Sequence, residues 1–276
     1  MSLNVALVAI GRMENPYAVE FVEHYKNLGF SNIIIMDNNH DGEEHFEDVL
    51  QDYINEGFVI VEDYRNQIKP QMRGYTEMYR KYGNEYDWIA FYDFDEFLFV
   101  NGMNVSNWLE KFPSDCQEVL VNWMTMTDNN LVRYDSRPLV ERFREVMTPD
   151  RPIQYSFPDN CHVKSIIRGG LDIAFGGNPH VPDTPLVAYN ASCVRCQNSP
   201  FQPIDWTTAH LRHFTTKTLE EWMTRKMKVG TPDREPSAFL PFYKDRFFKI
   251  NQMTEEKQNY LKSIEAISEP SKPQTT

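Results

Sequence analysis

The sequence predicts an α/β fold in which helices flank a mostly parallel sheet. Short apolar runs alternate with amphipathic segments of helical spacing through the first hundred residues. A glycine follows each of the three helical segments, at Gly29, Gly57 and Gly83. Polar residues follow the apolar runs, at the edge where parallel sheets bind their ligands.

The first half of the chain predicts the order β-α-β-α-β-α-β. Strands are predicted in Leu3–Ile10, Ile33–Met36, Phe58–Val61 and the segment Trp88–Val100. Apolar residues at helical spacing predict helices within residues 17–28, 46–54 and 72–82. Asn15 is the predicted N-cap of the first helix, and Pro16 suits its first turn. A helix between successive strands favours parallel pairing of those strands.

The second half of the sequence is less regular. A short helix is expected over Val105–Phe112, with Ser106 as its cap, and a strand over Glu118–Met124. A Thr-x-x-Glu capping box at Thr218–Glu221 starts a later helix. The lone C-x-x-C at Cys193–Cys196 has no second pair to complete a zinc site, so we expect a structural or incidental role.

Composition and charge limit the classes of function. The net charge is −12, and broad nucleic-acid binding is not expected because phosphate contacts need clustered lysine and arginine. An anionic substrate would need a bridging cation or a local basic pocket. No apolar run approaches the roughly 18 residues of a transmembrane helix. We expect a cytoplasmic protein, with peripheral membrane contact left open. Its single domain is expected over residues 1–265, followed by a disordered tail at 266–276.

The clearest candidate for chemistry is the acidic segment Asp93-Phe94-Asp95-Glu96 at the end of the fourth predicted strand. Residues two apart on a strand face the same way, so Asp93 and Asp95 would converge while Phe94 enters the core. Two carboxylates suit Mg²⁺ or Mn²⁺, and through the ion a phosphate. The alternative is an edge strand whose acids are solvated or paired with lysine or arginine. The aromatic flanks and the neighbouring polar strand ends favour a site.

Four segments resemble successive motifs of the family-2-like glycosyltransferases, and most closely the DUF23 or family-92-like branch. They are Gly11–Phe30, Ile35–Gly42, the D-x-D segment Asp87–Leu98, and Ala209–Trp222. The last segment is similar to that branch's H-Y-x-x-K-S-x-E-E motif, with Phe214 in place of Tyr and Thr218 in place of Ser. The resemblance covers most of residues 3–228 and is poor over 129–205, where acceptor choice would lie.

The resemblance implies a GT-A fold, a Rossmann-like sheet with a nucleotide-sugar site at its strand ends. It implies that Asp37 hydrogen-bonds the nucleoside base, that Asp93 contacts the ribose or the metal, and that Asp95 ligates the metal. Arg12 and Glu14 would lie near the base and ribose. A turn-stabilising role for Asp37 and a solvated surface position for Arg12 are the alternatives.

The same resemblance places His213 in the metal shell and Lys217 beside the diphosphate. A hydrogen-bonded structural histidine and a solvated lysine next to a helix cap are the alternatives. Transfer to a hydroxyl also needs a general base. Asp128, just after a predicted strand, is the first candidate against a plain turn residue, and Glu96 is the second.

These expectations combine into a metal-dependent inverting glycosyltransferase of polysaccharide biosynthesis. Its donor would be a nucleotide-sugar, most simply a UDP-sugar, and its acceptor a saccharide or glycolipid, with Mn²⁺ or Mg²⁺ as cofactor. A sugar nucleotidyltransferase or metal phosphohydrolase is an alternative, although Gly11–Pro16 has one glycine where sugar nucleotidyltransferases carry a glycine-rich loop. A non-catalytic saccharide-binding protein is a further alternative.

Overall fold

A computed structural model describes residues 2–148, 159–229 and 246–268, with side chains to residue 264. Ten strands of these ranges join one sheet. They are β1 (Val5–Gly11), β2 (Asn32–Asp37), β3 (Val59–Asp63), β4 (Trp88–Asp93), β5 (Glu96–Val100), β6 (Glu118–Thr125), β7 (Val163–Arg168), β8 (Ala188–Asn190), β9 (Arg195–Cys196) and β10 (Ala209–His213). The order is β3-β2-β1-β4-β7-β6-β10-β5, with β8 on β6 and β9 on β8.

Helices connect the first four strands and lie around the rest of the sheet. They are α1 (Asn15–Leu28), α2 (Glu47–Asn55), α3 (Gln71–Tyr82), α4 (Val105–Leu109), α5 (Leu139–Arg142), α6 (Leu219–Glu221), α7 (Met227–Val229) and α8 (Glu255–Ser268). A π-helical turn, Trp222–Lys226, joins α6 to α7, so residues 219–229 are continuously helical. Asp159–Cys161 is a 3₁₀ turn, and residues 246–250 are also helical.

The predicted α/β fold is confirmed. β1 pairs in parallel with β2 and β4, and β2 pairs in parallel with β3. All seven residues of β1 are buried, which is typical of a parallel strand covered by helices on both faces. Val5, Leu7 and Ala9 pack into the core on the α1 face, while Ala6 and Val8 pack on the α3 face.

The fourth predicted strand is two strands, so the prediction of one continuous strand was wrong. β4 ends at Asp93, Phe94 and Asp95 form a turn, and β5 begins at Glu96. β5 then pairs antiparallel with β10 at the far end of the strand order. The prediction that Phe94 enters the core is confirmed, since its ring stacks on Phe21 at 4.3 Å between centroids.

Two predicted helix caps were wrong by one or two residues. Glu14 is the N-cap of α1, and Asn15 is already helical. Asn104 caps α4, because its side chain accepts the Asn107 N–H at 2.8 Å. Ser106 instead accepts the N–H of Leu3 at 2.8 Å, which fastens the start of the chain to α4.

Three other end signals match the structure. Gly29 ends α1 in the left-handed region, with φ of 92°. The Thr218–Glu221 capping box forms as predicted, with reciprocal side-chain and backbone hydrogen bonds. α8 runs to Ser268, so the first residues of the predicted tail are helical, and residues 269–276 lie outside the described part. The four cysteines are free thiols.

None of the helices within the described ranges combines the length and apolarity that crossing a bilayer requires.

We expect Phe94→Ala to lower the free energy of unfolding by about 3–5 kcal/mol, because it leaves a cavity between Phe21 and Phe46. Urea unfolding followed by circular dichroism measures this change. Val19→Ala on the exposed side of α1 is the control and should cost less than about 0.5 kcal/mol. Equal losses in the two variants would contradict the packing role of Phe94.

Candidate active site

The carboxyl ends of β1, β2 and β4 meet at one edge of the sheet. Gly11 at the end of β1 lies opposite Asp37 at the end of β2, and Ile10 lies opposite Asp93. The sequence-based expectation that the polar strand ends gather at this edge is therefore confirmed. Arg12, Met13 and Glu14, which follow β1, line a cleft next to this edge.

Asp95 and His213 are brought together because β5 pairs with β10. His213 lies opposite Glu96 in that pairing, and the backbone N–H of Phe214 donates to the Asp95 carbonyl at 2.8 Å. Asp95 Oδ1 lies 3.6 Å from His213 Nε2, and both side chains are buried. The structure brings together the two residues that were predicted to ligate the metal, and metal binding by them stays a prediction.

The charges around Asp95 keep it ionised. Burial alone would raise the pKa of Asp95, but the positive charges of Lys226 and Lys217 hold it well below its ordinary value. Lys226 Nζ lies 3.4 Å from Asp95 Oδ2. Burial lowers the pKa of His213 to about 4, against the opposing effect of Asp95, so the imidazole is neutral at pH 7. Neutral imidazole is the form that binds metal ions.

A divalent ion fits the Asp95–His213 pair. The 3.6 Å between Oδ1 and Nε2 can be spanned by an ion about 2.1 Å from each atom. His213 Nδ1 is buried and has no hydrogen-bond partner among the described residues, so no such bond fixes which ring nitrogen carries the proton. One carboxylate oxygen and one imidazole nitrogen suit Mn²⁺ better than Mg²⁺.

Asp93 points away from this pair. Its Oδ1 accepts from Gln71 at 2.6 Å and from Tyr75 at 3.2 Å, and its Oδ2 lies 3.1 Å from Lys164 Nζ. Within the described ranges it forms no compact metal-ligand group with Asp95. The strand alternation on which the expected convergence rested is absent, because Phe94 and Asp95 form a turn after β4. A metal site shared by the two acids stays a prediction. Ribose contact by Asp93 stays a prediction.

Glu96 lies beneath the site and is fully buried. Its carboxylate accepts the indole N–H of Trp123 at 2.8 Å and the backbone N–H of Asp93 at 3.0 Å, with Lys164 at 3.6 Å. Burial raises the pKa of Glu96 well above its ordinary value, although Lys164 opposes the shift. Trp123 also packs on His213 at 4.2 Å, so Glu96 helps to orient that ring. These contacts favour a positioning role over the predicted role as a base.

Asp128, the first candidate for the general base, is also buried. Its carboxylate lies 2.5 Å from Lys257 Nζ of α8, and its Oδ1 accepts the backbone N–H of Asn130 at 2.9 Å. Its own N–H donates to Asn251 at 2.7 Å. An acid held by a buried lysine is poorly suited to accept a proton, so these contacts favour a structural role.

Glu14 and Lys217 form an ion pair in the lining of the cleft. The contact of Glu14 with the base or ribose and that of Lys217 with the diphosphate stay predictions. Lys217 Nζ lies 3.3 Å from Glu14 and 4.4 Å from the centre of the Tyr17 ring. Burial raises the pKa of Glu14, and Lys217 opposes that shift. Lys217 has φ of 53°, a left-handed conformation that lysine rarely adopts and that the surrounding contacts maintain.

Arg12 is held at the outer border by a two-point ion pair with Glu43, at 2.7 and 2.8 Å. Arg225, on the π-helical turn, donates to the Met13 carbonyl at 2.8 Å and to Glu44 at 2.6 Å. The cleft is lined by Arg12, Met13, Glu14, Tyr17, Thr215, Thr216, Lys217, Glu221, Arg225, Lys226 and Val229. Four of these are cations, and each is paired with a carboxylate: Arg12 with Glu43, Lys217 with Glu14, Arg225 with Glu44 and Lys226 with Asp95.

Asp37 is buried at the other end of this edge. Its Oδ1 accepts the backbone and side-chain N–H groups of Asn39 at 2.9 and 2.7 Å, and its Oδ2 has no hydrogen-bond partner in the described part of the chain. Burial raises its pKa. Ligand atoms of Asp37, His45 and Glu47 lie within 4.8 Å of one another. Arg65 donates to His45 Nδ1 at 3.0 Å and supplies positive charge there.

Several site residues were missed by sequence reasoning. Lys226 and Arg225 reach the cleft through the π-helical turn, for which the sequence carries no recognised signal. Lys164 and Trp123 lie on β7 and β6, and they approach the acids only through the sheet order. The alternation Val163-Lys164-Ser165 within an apolar strand was the available signal that Lys164 is buried and paired.

The π-helical turn Trp222–Lys226 carries Arg225 and Lys226, and we call it the cationic turn. A buried ion pair holds it in place. Arg142 of α5 donates to both carboxylate oxygens of Glu221, at 2.9 and 3.0 Å, and Tyr17 donates to the same carboxylate at 2.6 Å. Thr218 closes the capping box on it. Lone charges at this depth would be costly, so each partner requires the other.

We expect Glu221→Met to lower the free energy of unfolding by about 3–5 kcal/mol, because it strands the Arg142 guanidinium. The double variant Arg142→Met/Glu221→Met should recover most of that loss. Thermal and urea unfolding of both single variants and the double variant measure the coupling. Additive losses would contradict the ion pair as the anchor of residues 219–229.

A comparison with curated proteins finds no match. Among solved structures, S. aureus TarS residues 1–349 in complex with UDP-GlcNAc aligns with a TM-score of 0.44 and 12% identity, covering 93% of this chain and 78% of that chain. The same TarS segment described without UDP-GlcNAc aligns with a TM-score of 0.42 and 12% identity, covering 93% of this chain and 77% of that chain. S. aureus TarS described without a residue range aligns with a TM-score of 0.41 and 10% identity, covering 93% of this chain and 47% of that chain.

The sequence profile of glycosyltransferase family 92 matches residues 14–169, more than half of the chain. The matched segment contains α1, the β2 end with Asp37, and the turn with Asp95. The predicted resemblance and the predicted enzyme class are therefore confirmed. The chain belongs to glycosyltransferase family 92, and it is a glycosyltransferase with a mixed α/β fold.

Proposed function

We propose that this glycosyltransferase moves a sugar from a UDP-linked donor to a saccharide or glycolipid acceptor, with inversion and with Mn²⁺ or Mg²⁺ bound. The observation that carries the proposal is the Asp95–His213 pair, 3.6 Å apart, bordered by the cationic cleft. Family membership favours glycosyl transfer over nucleotidyl transfer, phosphate hydrolysis and non-catalytic saccharide binding.

The leaving group sets the demands on the site. When the bond between the sugar and the nucleoside diphosphate breaks, negative charge develops on the diphosphate oxygen. A divalent ion held by Asp95 and His213 would neutralise part of that charge as a Lewis acid. Lys217 and Lys226, which line the adjoining cleft, would supply further positive charge. Water is largely excluded from Asp95, which strengthens these interactions.

The residues of the strand ends would orient the donor. Asp37 offers a buried carboxylate oxygen without a partner in the described part of the chain, which suits an N–H group of a nucleoside base. Donation to a buried carboxylate discriminates strongly against bases that lack the donor. Arg12 and Glu14 line the cleft together with Arg225 and Lys226, and the ribose would lie beside them.

An inverting transfer needs a base on the acceptor side, and the structure leaves this position open. Asp128 and Glu96 both stay predictions, and their buried partners Lys257 and Trp123 weigh against them. The acceptor class, the polysaccharide pathway and the cytoplasmic location also stay predictions.

We expect Asp95→Asn to weaken UDP binding in the presence of Mn²⁺ roughly tenfold and donor hydrolysis at least about 100-fold. The amide keeps the shape of the side chain but removes the charge that faces the metal and Lys226. Isothermal titration calorimetry with UDP, and a hydrolysis screen over UDP- and GDP-sugars, measure the two effects.

Asp52→Asn, on the exposed side of α2, is the matched control and should change neither value. The proposal fails if neither UDP nor GDP binds with Mn²⁺ present and Asp95→Asn behaves like this control.

A further inference from the structure

We propose that Lys226 is a built-in counter-ion that occupies Asp95 while the metal is absent and moves to the donor diphosphate when metal and donor bind. The move of Lys226 to the donor diphosphate rests on the proposed function. Its pairing with Asp95 in the absence of metal does not. Lys226 would therefore oppose the binding of a metal ion and favour the binding of a nucleoside diphosphate.

The two oxygens of Asp95 face different partners. Oδ1 faces His213 at 3.6 Å, and Oδ2 faces Lys226 Nζ at 3.4 Å. The Asp95 side chain is only 4% exposed, and an unpaired carboxylate at that depth would cost several kcal/mol. Lys226 is the charge that removes this penalty.

The lysine and a metal ion compete for the same carboxylate. A divalent cation held by Asp95 would repel an ammonium that lies 3.4 Å from the other oxygen of that group. An arrangement in which the metal ion and the Lys226 ammonium share the Asp95 carboxylate is therefore unfavourable. It becomes favourable when a second anion pairs with one of the two cations. The diphosphate of the donor supplies that anion and gives the displaced lysine a new partner.

The architecture allows Lys226 to move without moving the helix. Arg225 next to it is fixed to the Met13 carbonyl and Glu44, and Glu221 one turn earlier is fixed by Arg142. The Lys226 side chain is 21% exposed and borders the open cleft. Rotation of its flexible four-carbon stem is enough to change partners.

Lys217 is not placed to exchange between Asp95 and a diphosphate in the same way. Its Nζ already pairs with Glu14 at 3.3 Å and lies over the Tyr17 ring. Its left-handed backbone conformation holds the side chain in that direction. The exchange is therefore a property of the π-helical turn, which places Lys226 over Asp95.

The inference predicts opposite effects of one substitution on two ligands. Lys226→Met should bind Mn²⁺ alone roughly tenfold tighter, since the competing charge is gone. The same variant should bind UDP at saturating Mn²⁺ roughly tenfold weaker, since the diphosphate loses a partner. Loss of a merely structural residue would weaken both ligands.

The experiment titrates Mn²⁺ into wild type and Lys226→Met, with free Mn²⁺ followed by electron paramagnetic resonance. UDP is then titrated at saturating Mn²⁺ by calorimetry. Lys228→Met, an exposed lysine on the same helical segment, is the control that should leave both affinities unchanged. Lys226→Arg keeps the charge and should stay within about threefold of wild type for Mn²⁺. Thermal unfolding checks that each variant is folded, and Lys226→Gln replaces Lys226→Met if it is not.

The outcomes separate the two halves of the inference. Tighter Mn²⁺ binding with weaker UDP binding supports the exchange. Tighter Mn²⁺ binding in a protein to which no nucleotide binds supports the counter-ion and overturns the proposed function. Unchanged or weaker Mn²⁺ binding in Lys226→Met, or no Mn²⁺ binding by either protein, overturns the inference.

Discussion

The aromatic packing of the turn between β4 and β5 is the constraint on which the site depends. Phe94 stacks between Phe21 of α1 and Phe46 before α2, at 4.3 and 4.8 Å. Gly11 leaves room for these rings, because a Cβ there would lie 2.7 Å from Phe46 and 2.9 Å from Phe94. One cluster therefore joins the end of β1, both helices and the turn. Asp95 is the next residue, so the same cluster fixes where the acid points.

The turn also explains why two neighbouring acids have different surroundings. Asp93 ends β4 and pairs with the buried Lys164, whereas Asp95 faces the β10 end and the π-helical turn. Each acid is neutralised by its own lysine. Buried pairs of this kind add little net stability, since desolvation offsets attraction. Their effect is to fix the directions of the side chains before a ligand arrives, which is what catalysis of charge separation requires.

The strand and helix order followed from local signals, and so did the core position of Phe94. The proximity of Asp95 and His213 was expected because both residues lie in segments that resemble motifs of one family, although the family profile itself matches only residues 14–169 and so covers Asp95 alone. The separate set of partners around Asp93 could not be predicted, because a two-residue turn leaves the apolar pattern of Trp88–Val100 intact. The approach of Lys226 depends on a π-helical turn, whose extra backbone residue shifts the register of the helix. Local propensity does not encode that shift.

The charge distribution gives the cleft its selectivity. The whole chain carries a net charge of −12, so its long-range field repels anions. At physiological salt that repulsion is screened beyond about 8 Å, whereas the cleft presents Lys217 and Lys226 at contact distance. An anion is therefore held only if it enters deeply enough to reach these cations.

A diphosphate can replace Asp95 as the partner of Lys226, and a metal ion compensates the carboxylate that is left behind. The metal ion and the diphosphate would then each bind more tightly when the other is already bound. Under this proposal, the Asp95–Lys226 contact would couple metal binding to donor binding.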